Sequence, residues 1–147
     1  MLQQDVDVKE TEVEVNLEDI EVMYVESPNG PEGSPEAFAR LEGKLSSLKG
    51  RKFYATFQYP DGPYRACGAL IPSDKPKDLG IDTWVIPGGE YAQGKLDDWA
   101  KHPWDIPGAF TRLSEAYLEK IDPSRPSIEF YKSQRELILL IPIKKDD

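Results

Sequence analysis

Rings and carboxylates are the side chains here with the means to recognise a small molecule. Tyr54, Tyr64, Tyr91, Trp99, Trp104, Phe110 and Tyr117 fall on strand, helix and loop positions that could share one groove. Flat rings stack on planar ligands, and their electron-rich faces attract a cation at about 0.5–2 kcal/mol each. For Phe110 and Tyr117, ordinary core packing explains the pattern equally well. Trp99 and Trp104 are harder to assign to a core, because they flank Ala-Lys-His-Pro in a polar, irregular stretch. Glu136 opens the most apolar run in the chain, so a central place in a sheet would surround its carboxylate with low dielectric and raise its pKa. Such a group neutralises a bound cation or activates water as a general base. The alternative is a strand-end acid in water, paired with Arg135 or Lys132. Glu129, on the adjacent strand, is the next candidate, and two carboxylates at one site would divide acid and base roles.

Other chemistries lack their residues. The single histidine, His102, precedes Pro103 and cannot form a metal site alone, and a Ser-His-Asp set would need that same residue. There are no paired cysteines and no Gly-rich phosphate loop, so neither metal nor cofactor is expected. Cys67 reads as core, since only Arg65 stands near enough in sequence to lower its pKa. Arg65 itself reads as an ion-pair partner within a sheet.

The elements that must position these residues follow a repeated order. Thr11 to Leu17 alternates, with Val13, Val15 and Leu17 on one side and Glu12, Glu14 and Asn16 on the other, the period-2 signature of a strand with one wet face. Ile20 to Glu26 continues extended, and Ser27 to Ser34 is Pro- and Gly-rich punctuation. Ser34 as N-cap, Pro35 and Glu36 then open a helix whose apolar stripe is Phe38, Leu41, Leu45 and Leu48, with Gly50 as its stop. Arg51 to Tyr59 and Tyr64 to Ile71 read as strands about a Pro-Asp-Gly-Pro turn, and Pro72 to Gly80 as a loop. In the second half Ile81 to Ile86 and Glu90 to Leu96 read as strands. Asp105 caps a helix marked by Ile106, Phe110, Leu113 and Tyr117. Ser127 to Tyr131 and Arg135 to Ile143 then form a hairpin.

The expected fold is therefore α+β. Two pseudo-twofold-related modules, 11–72 and 80–147, build an antiparallel sheet with helices on one side, and a groove lies at their junction. Glu21-Val22-Met23 aligns with Glu90-Tyr91-Ala92 in this duplication. Residues 1–10 are expected to be a flexible segment ahead of a single domain at 11–147.

With 147 residues the chain has the length of one domain, and 18 Lys and Arg against 27 Asp and Glu give a net charge of −9. That balance offers no basic stripe for phosphates, so direct nucleic-acid binding is not expected. Residues 1–26 carry nine acids against Lys9 alone, a local sum of −8 that leaves −1 for the remainder. This strip reads as a solvated face; steering of a cation and docking of a protein partner are the alternatives. A hydrophobic content of 39% with 10% aromatics argues for a packed core rather than an acidic disordered chain. No apolar run is long enough to span a bilayer, no start resembles a signal peptide, and one cysteine fits a reducing compartment. A cytoplasmic, membrane-free protein is expected.

Three segments carry a family resemblance. Ile81 to Ala92, with its Ile-Pro-Gly-Gly turn, is similar to the strands that open the second half of GyrI-like domains. Ile128-Glu-Phe-Tyr131 with Glu136 to Ile143 resembles that family's final hairpin and its Ile-Pro-Ile ending, and Tyr64-Arg-Ala-Cys-Gly68 resembles its third-strand motif. The resemblance covers roughly residues 11–145. It implies a two-module α+β fold that binds amphipathic, aromatic or cationic small molecules in a central groove. Such domains serve as effector-sensing halves of AraC-type and MerR-type activators and as free-standing proteins, which this chain resembles, having no room for a helix-turn-helix module ahead of the domain. Some free-standing members hydrolyse cyclopropane-bearing DNA-alkylating toxins, and others act on or near DNA gyrase. The family's closing Glu falls here at Ile138, and the nearest acid, Glu136, lies two residues earlier, on the same face but about 7 Å away. The expected ligand site thus joins the seven aromatics above to Glu136 and Ile138. In an enzyme, Glu136 would activate water while Tyr54 or Tyr64 donates to the developing enolate oxygen.

Overall fold

Val13–Leu17 (β1) and Ile20–Ser27 (β2) precede the helix Ser34–Gly43 (α1) and the strands Phe53–Phe57 (β3) and Tyr64–Ala69 (β4). A short helix, Pro76–Leu79 (α2), leads into Asp82–Ile86 (β5), Gly89–Asp97 (β6), the helix Ile106–Ala116 (α3), Ser127–Tyr131 (β7) and Glu136–Pro142 (β8). The computed structural model describes residues 13–145; the segment 1–10, expected to be flexible, and the first residues of the strand expected from Thr11 lie outside them. Among the described residues no helix is long and apolar enough to cross a membrane.

All eight strands join one antiparallel sheet in the order β1-β6-β8-β7-β3-β4-β2-β5. Exchanging β1 with β5, β2 with β6, β3 with β7 and β4 with β8 turns this order into its own reverse. The two modules are therefore related by a pseudo-twofold axis running between β3 and β7. Ala55 and Glu129 are the middle of the five residue pairs that join those strands, so Glu129 lies beside the axis.

The opening strands exchange partners. β1 pairs with β6 and β5 with β2, so neither short turn closes a hairpin. The turns meet instead: the Gly88 N–H donates to the Asp19 carboxylate at 2.7 Å. A Cβ at Gly88 would stand 2.5 Å from the Leu17 carbonyl oxygen, a backbone atom that cannot give way, so only glycine lets the two turns cross here.

One face of the sheet carries both long helices. α1 buries Ala37 and Leu41 on Val25 and Ala66, and α3 buries Ala109 and Leu113 against Ala92, Leu96, Leu137, Leu139 and Ile141. Alanine at the leading position of each pair lets the helix axis approach the strands closely. The other face is covered by the curl of the sheet, where Val22, Tyr54, Cys67, Ile86, Tyr91, Ile128, Ile138 and Leu140 form a second core. β8 is apolar from Leu137 onward because both its faces are buried there, Leu137, Leu139 and Ile141 toward α3 and Ile138 and Leu140 away from it.

Two helix boundaries differ from expectation. α1 ends at Gly43 rather than running through Leu48, since glycine weakens a helix interior by about 1 kcal/mol and the Lys44 and Leu45 amides tighten onto Leu41 and Glu42. Gly33, not Ser34, holds its N-cap position, which frees the Ser34 hydroxyl for another partner. Asp105 holds the N-cap position of α3 without a side-chain capping bond, its carboxylate lying 3.0 Å from His102 Nδ1 instead.

Arg65 marks the helix-free face. Its guanidinium lies 4.5 Å from the Tyr24 ring centre and 4.6 Å from that of Trp84, with Glu26 at 3.2 Å. It ties β4 to β2 and β5, as an ion-pair partner within the sheet should. Arg65→Gln is expected to cost about 1–2 kcal/mol, the loss of a cation held between two rings. Urea unfolding followed by tryptophan fluorescence measures it, and an unchanged midpoint would deny the sandwich any energetic role.

Candidate functional site

β7 alternates Ile128 and Phe130 toward the helix-free core with Glu129 and Tyr131 toward the helices. This puts a carboxylate at the centre of an eight-stranded sheet, on the floor between α1 and α3. The Tyr64 hydroxyl of β4 donates to Glu129 Oε1 at 3.2 Å, and the Tyr131 hydroxyl donates to the same oxygen. Tyr64 also meets Ser34 Oγ at 3.1 Å. With the single phenolic proton committed to the carboxylate, Ser34 must donate in that contact, which carries the chain of hydroxyls to the start of α1.

The walls above this floor are aromatic. Phe38 of α1 meets Tyr131 edge-on with ring centres 5.3 Å apart, and Phe53 at 6.5 Å. Trp99 lies 5.1 Å from Tyr131, its indole N–H donating to the Ser133 carbonyl at 2.7 Å. Toward the other end Phe57 stands 6.4 Å from Tyr64 and 5.0 Å from the exposed Tyr59. Phe110 occupies on α3 the place of Phe38 on α1, one residue beyond the buried alanine of each helix.

Burial sets the protonation of this cluster. Glu129 is enclosed by protein yet retains a solvent-accessible facet. Enclosure raises its pKa above the usual carboxylate value, against the opposing hydrogen bonds from Tyr131 and Tyr64. Burial first, and the neighbouring Glu129 second, push both phenols up, so at physiological pH they stay neutral donors. The arrangement is a carboxylate stabilised by two O–H groups, with no ion pair to a cationic side chain among the described residues.

The residues expected to share one groove fall on two faces of the sheet. Tyr64, Trp99, Phe110 and Tyr117 lie on the helix side, Trp99, Phe110 and Tyr117 partly buried against the α3 core. Tyr54 and Ile138 lie in the helix-free core, Tyr54 stacked on Phe130 at 4.9 Å. Tyr91 is fully buried there beneath the Arg125 guanidinium, 4.8 Å from its ring centre. An even-numbered residue of β8 points away from the helices, which removes Glu136 as well as Ile138 from the Glu129 side. Glu136 stands at the open end of the strand, 3.4 Å from Lys95 and 3.8 Å from Lys132, the alternative of a strand-end acid. Trp104 is 73% exposed. Burial pushes the Cys67 thiol up to about 12, which leaves it unreactive as expected of core.

Ser34, Phe38, Phe53 and Tyr131 were not among the expected site residues. The signal for Tyr131 was present, since it follows Glu129 by two residues on one strand and so shares its face. Ser34 was hidden by its expected capping role. Phe38 was assigned to the helix stripe, where it does sit, but at the edge that looks across to β7.

No family model matches the sequence, and no curated protein does. Solved structures do. An integron cassette protein from the mobile metagenome of Vibrio cholerae superposes with a TM-score of 0.67 at 12% identity, over 91% of this chain and 96% of that one. SAV2435 bound to tetraphenylphosphonium gives 0.60 at 12% identity, over 90% and 93%. A hydrolase from Listeria innocua gives 0.54 at 11% identity, over 91% and 92%. At these identities the likeness is one of fold, extending over nearly all of each chain.

Proposed function

We propose that this chain is a GyrI-like domain that binds a lipophilic aromatic or cationic small molecule between α1 and α3. The observation that carries the reading is Glu129, a carboxylate on the sheet floor with two phenols as donors and aromatic walls above it. A flat or propeller-shaped hydrophobic cation satisfies both parts, rings against Phe38, Trp99 and Phe110, and charge against Glu129. The likeness in fold to a protein bound to tetraphenylphosphonium supports that ligand class. Sensing or sequestering such compounds is the role that follows, and drug or toxin resistance its setting.

Trp99 supplies the readout, because it packs on Tyr131 beside the carboxylate. Titration with tetraphenylphosphonium and with planar cationic dyes is expected to quench tryptophan emission saturably at micromolar concentration. Trp99→Phe should remove most of that change while Trp104→Phe leaves it. No saturable quenching by any probe up to about 100 μM, under 6 kcal/mol of binding, overturns the reading.

Hydrolysis is a second reading, favoured by one feature. A carboxylate with raised pKa beside phenolic donors is arranged as a general base with a proton donor at hand, and a hydrolase shares the fold. Water activated by Glu129 would open an electrophilic ring such as a cyclopropane, with Tyr64 or Tyr131 donating to the oxygen that gains charge. Turnover of a cyclopropane-bearing toxin, abolished by Glu129→Gln, distinguishes it from binding alone.

A further inference from the structure

Nothing in the cleft already neutralises Glu129. Its side-chain hydrogen-bond partners among the described residues are two phenols, Tyr64 from β4 and Tyr131 from its own strand. β3 and β8 set Ala55 and Leu139 opposite it, and α1 contributes Ser34 through Tyr64. The charged groups of the flanking helices lie at the surface or point elsewhere. Glu36 and Arg40 of α1 are exposed, Glu115 of α3 is exposed, and Arg112 runs back along its own helix toward Gly108. Arg65, on the next strand, belongs to the opposite face between Tyr24 and Trp84. Lys95 and Lys132 are held by Glu136 at the strand end.

An enclosed carboxylate without a cation has two ways to meet its surroundings. It keeps a proton, or it takes a cation from outside. Two hydroxyls converging on one oxygen ease the ionised form but do not neutralise it. Resting on the binding reading above, we propose that the cleft is a proton–cation exchanger: a permanently charged lipophilic cation enters as Glu129 releases its proton to solvent, so ligand affinity is set by pH. Burial acts in the required direction, raising Glu129 above the ordinary carboxylate range, with Tyr131 and Tyr64 opposing it.

The linkage has a definite sign. Below the pKa of Glu129 in the free protein, each cation bound expels up to one proton, and apparent affinity falls about tenfold per pH unit as acid is added. Above that pKa the carboxylate is already ionised, no proton is released, and affinity is flat. A neutral ligand of the same shape gains nothing from an ionised carboxylate and so expels no proton.

The test is calorimetric titration of the full chain with tetraphenylphosphonium and with neutral triphenylphosphine oxide. It is run between about pH 4.5 and 8 in paired buffers of different ionisation enthalpy. The expected result is a buffer-dependent heat of proton release for the cation at the acid end of this range, none at the alkaline end, and no proton release for the neutral compound at any pH. Tyr131→Phe removes a hydroxyl that holds the pKa down, so its release profile moves to higher pH, a shift that a merely structural role would not produce. Glu129→Gln abolishes the release. Saturable cation binding with no proton released anywhere in the range overturns the exchange and leaves the binding reading standing. Binding of neither compound overturns both.

Discussion

Asp74→Ala is expected to lower the unfolding free energy by roughly 2–4 kcal/mol, more than the loss of any ion pair on the surface of this protein. Arg51 Nη1 and Nη2 reach the two carboxylate oxygens of Asp74 at 2.8 and 3.0 Å, and Nη1 also donates to the Ala69 carbonyl at 2.8 Å. Asp74 in turn accepts from the Ile71 amide at 2.8 Å. The side chains are only 6% and 8% exposed, so removing the acid leaves a covered guanidinium with one carbonyl for company. A depression of about 250 Å³ lined by Leu45, Ser46 and Ser73 adjoins the pair and admits water, which keeps the loss toward the lower end of the range for buried ion pairs.

The same pair has a pH signature. The hydrogen bond from Arg51 holds the Asp74 carboxyl below its usual value, and Asp122 is held down by Ser124 and Arg125. Groups depressed in the folded state stabilise it above their unfolded pKa of about 4 and lose that contribution as pH falls through the folded value. Wild-type stability should therefore decline below about pH 4, and Asp74→Ala should decline less steeply. Urea unfolding at neutral and acid pH measures both. Equal midpoints for variant and wild type at neutral pH would show that the pair contributes nothing.

Arg51 has a counterpart across the pseudo-twofold axis, which shows what the duplication conserves physically. Arg125 stands two residues before β7 as Arg51 stands two residues before β3, and it donates to the Ile143 carbonyl at 2.8 Å and the Glu90 carbonyl at 3.2 Å. Each arginine pins the end of its half's last strand to the entry of its third. The central pair β3–β7, and with it the position of Glu129, is thereby fixed from both sides.

Local pattern made the duplicated order legible, because each strand with one wet face alternates and each helix carries its own stripe. Partner choice was not legible. The pairing of β1 with β6 and β5 with β2 rests on the crossing of two turns at Gly88, a contact between residues 69 apart in sequence. The surroundings of the two carboxylates were not legible for a related reason. Glu136 heads an apolar run, which suggested burial, whereas a strand's first residue lies at its open end, where Lys95 and Lys132 reach it. Glu129, the second candidate, interrupts a short strand between Ile128 and Phe130, where alternation alone does not distinguish a wet face from a covered one. Only the sheet order, which makes β7 central, and the two helices above it turn that face into a cleft floor. Tyr54 and Tyr91 illustrate the same limit: a ring on a strand points to one of two faces, and here the helix-free face buries these two rings.

Glu129→Gln is expected to weaken binding of tetraphenylphosphonium about ten- to a hundredfold, some 1.4–2.8 kcal/mol, while making the unbound protein more stable at neutral pH. Both effects have one cause. Glutamine keeps an oxygen to accept from Tyr64 and Tyr131 but brings no charge, so the attraction to the cation disappears together with the cost of enclosing an anion. The stability gain depends on pH with a fixed sign. Burial raises the folded-state pKa of Glu129 above its unfolded value, so the wild type carries no penalty below the unfolded value and accrues one as pH rises through the folded value. Each unit of displacement amounts to about 1.4 kcal/mol, and each kcal/mol to about 2–4 °C in melting temperature for a domain of this size. The variant should thus melt above the wild type at pH 7.5 and together with it near pH 4. A variant that melts lower at neutral pH would show that the carboxylate holds the fold together rather than straining it. Unchanged cation affinity would place the ligand elsewhere, and with both results the cleft between α1 and α3 would lose its claim to be the site.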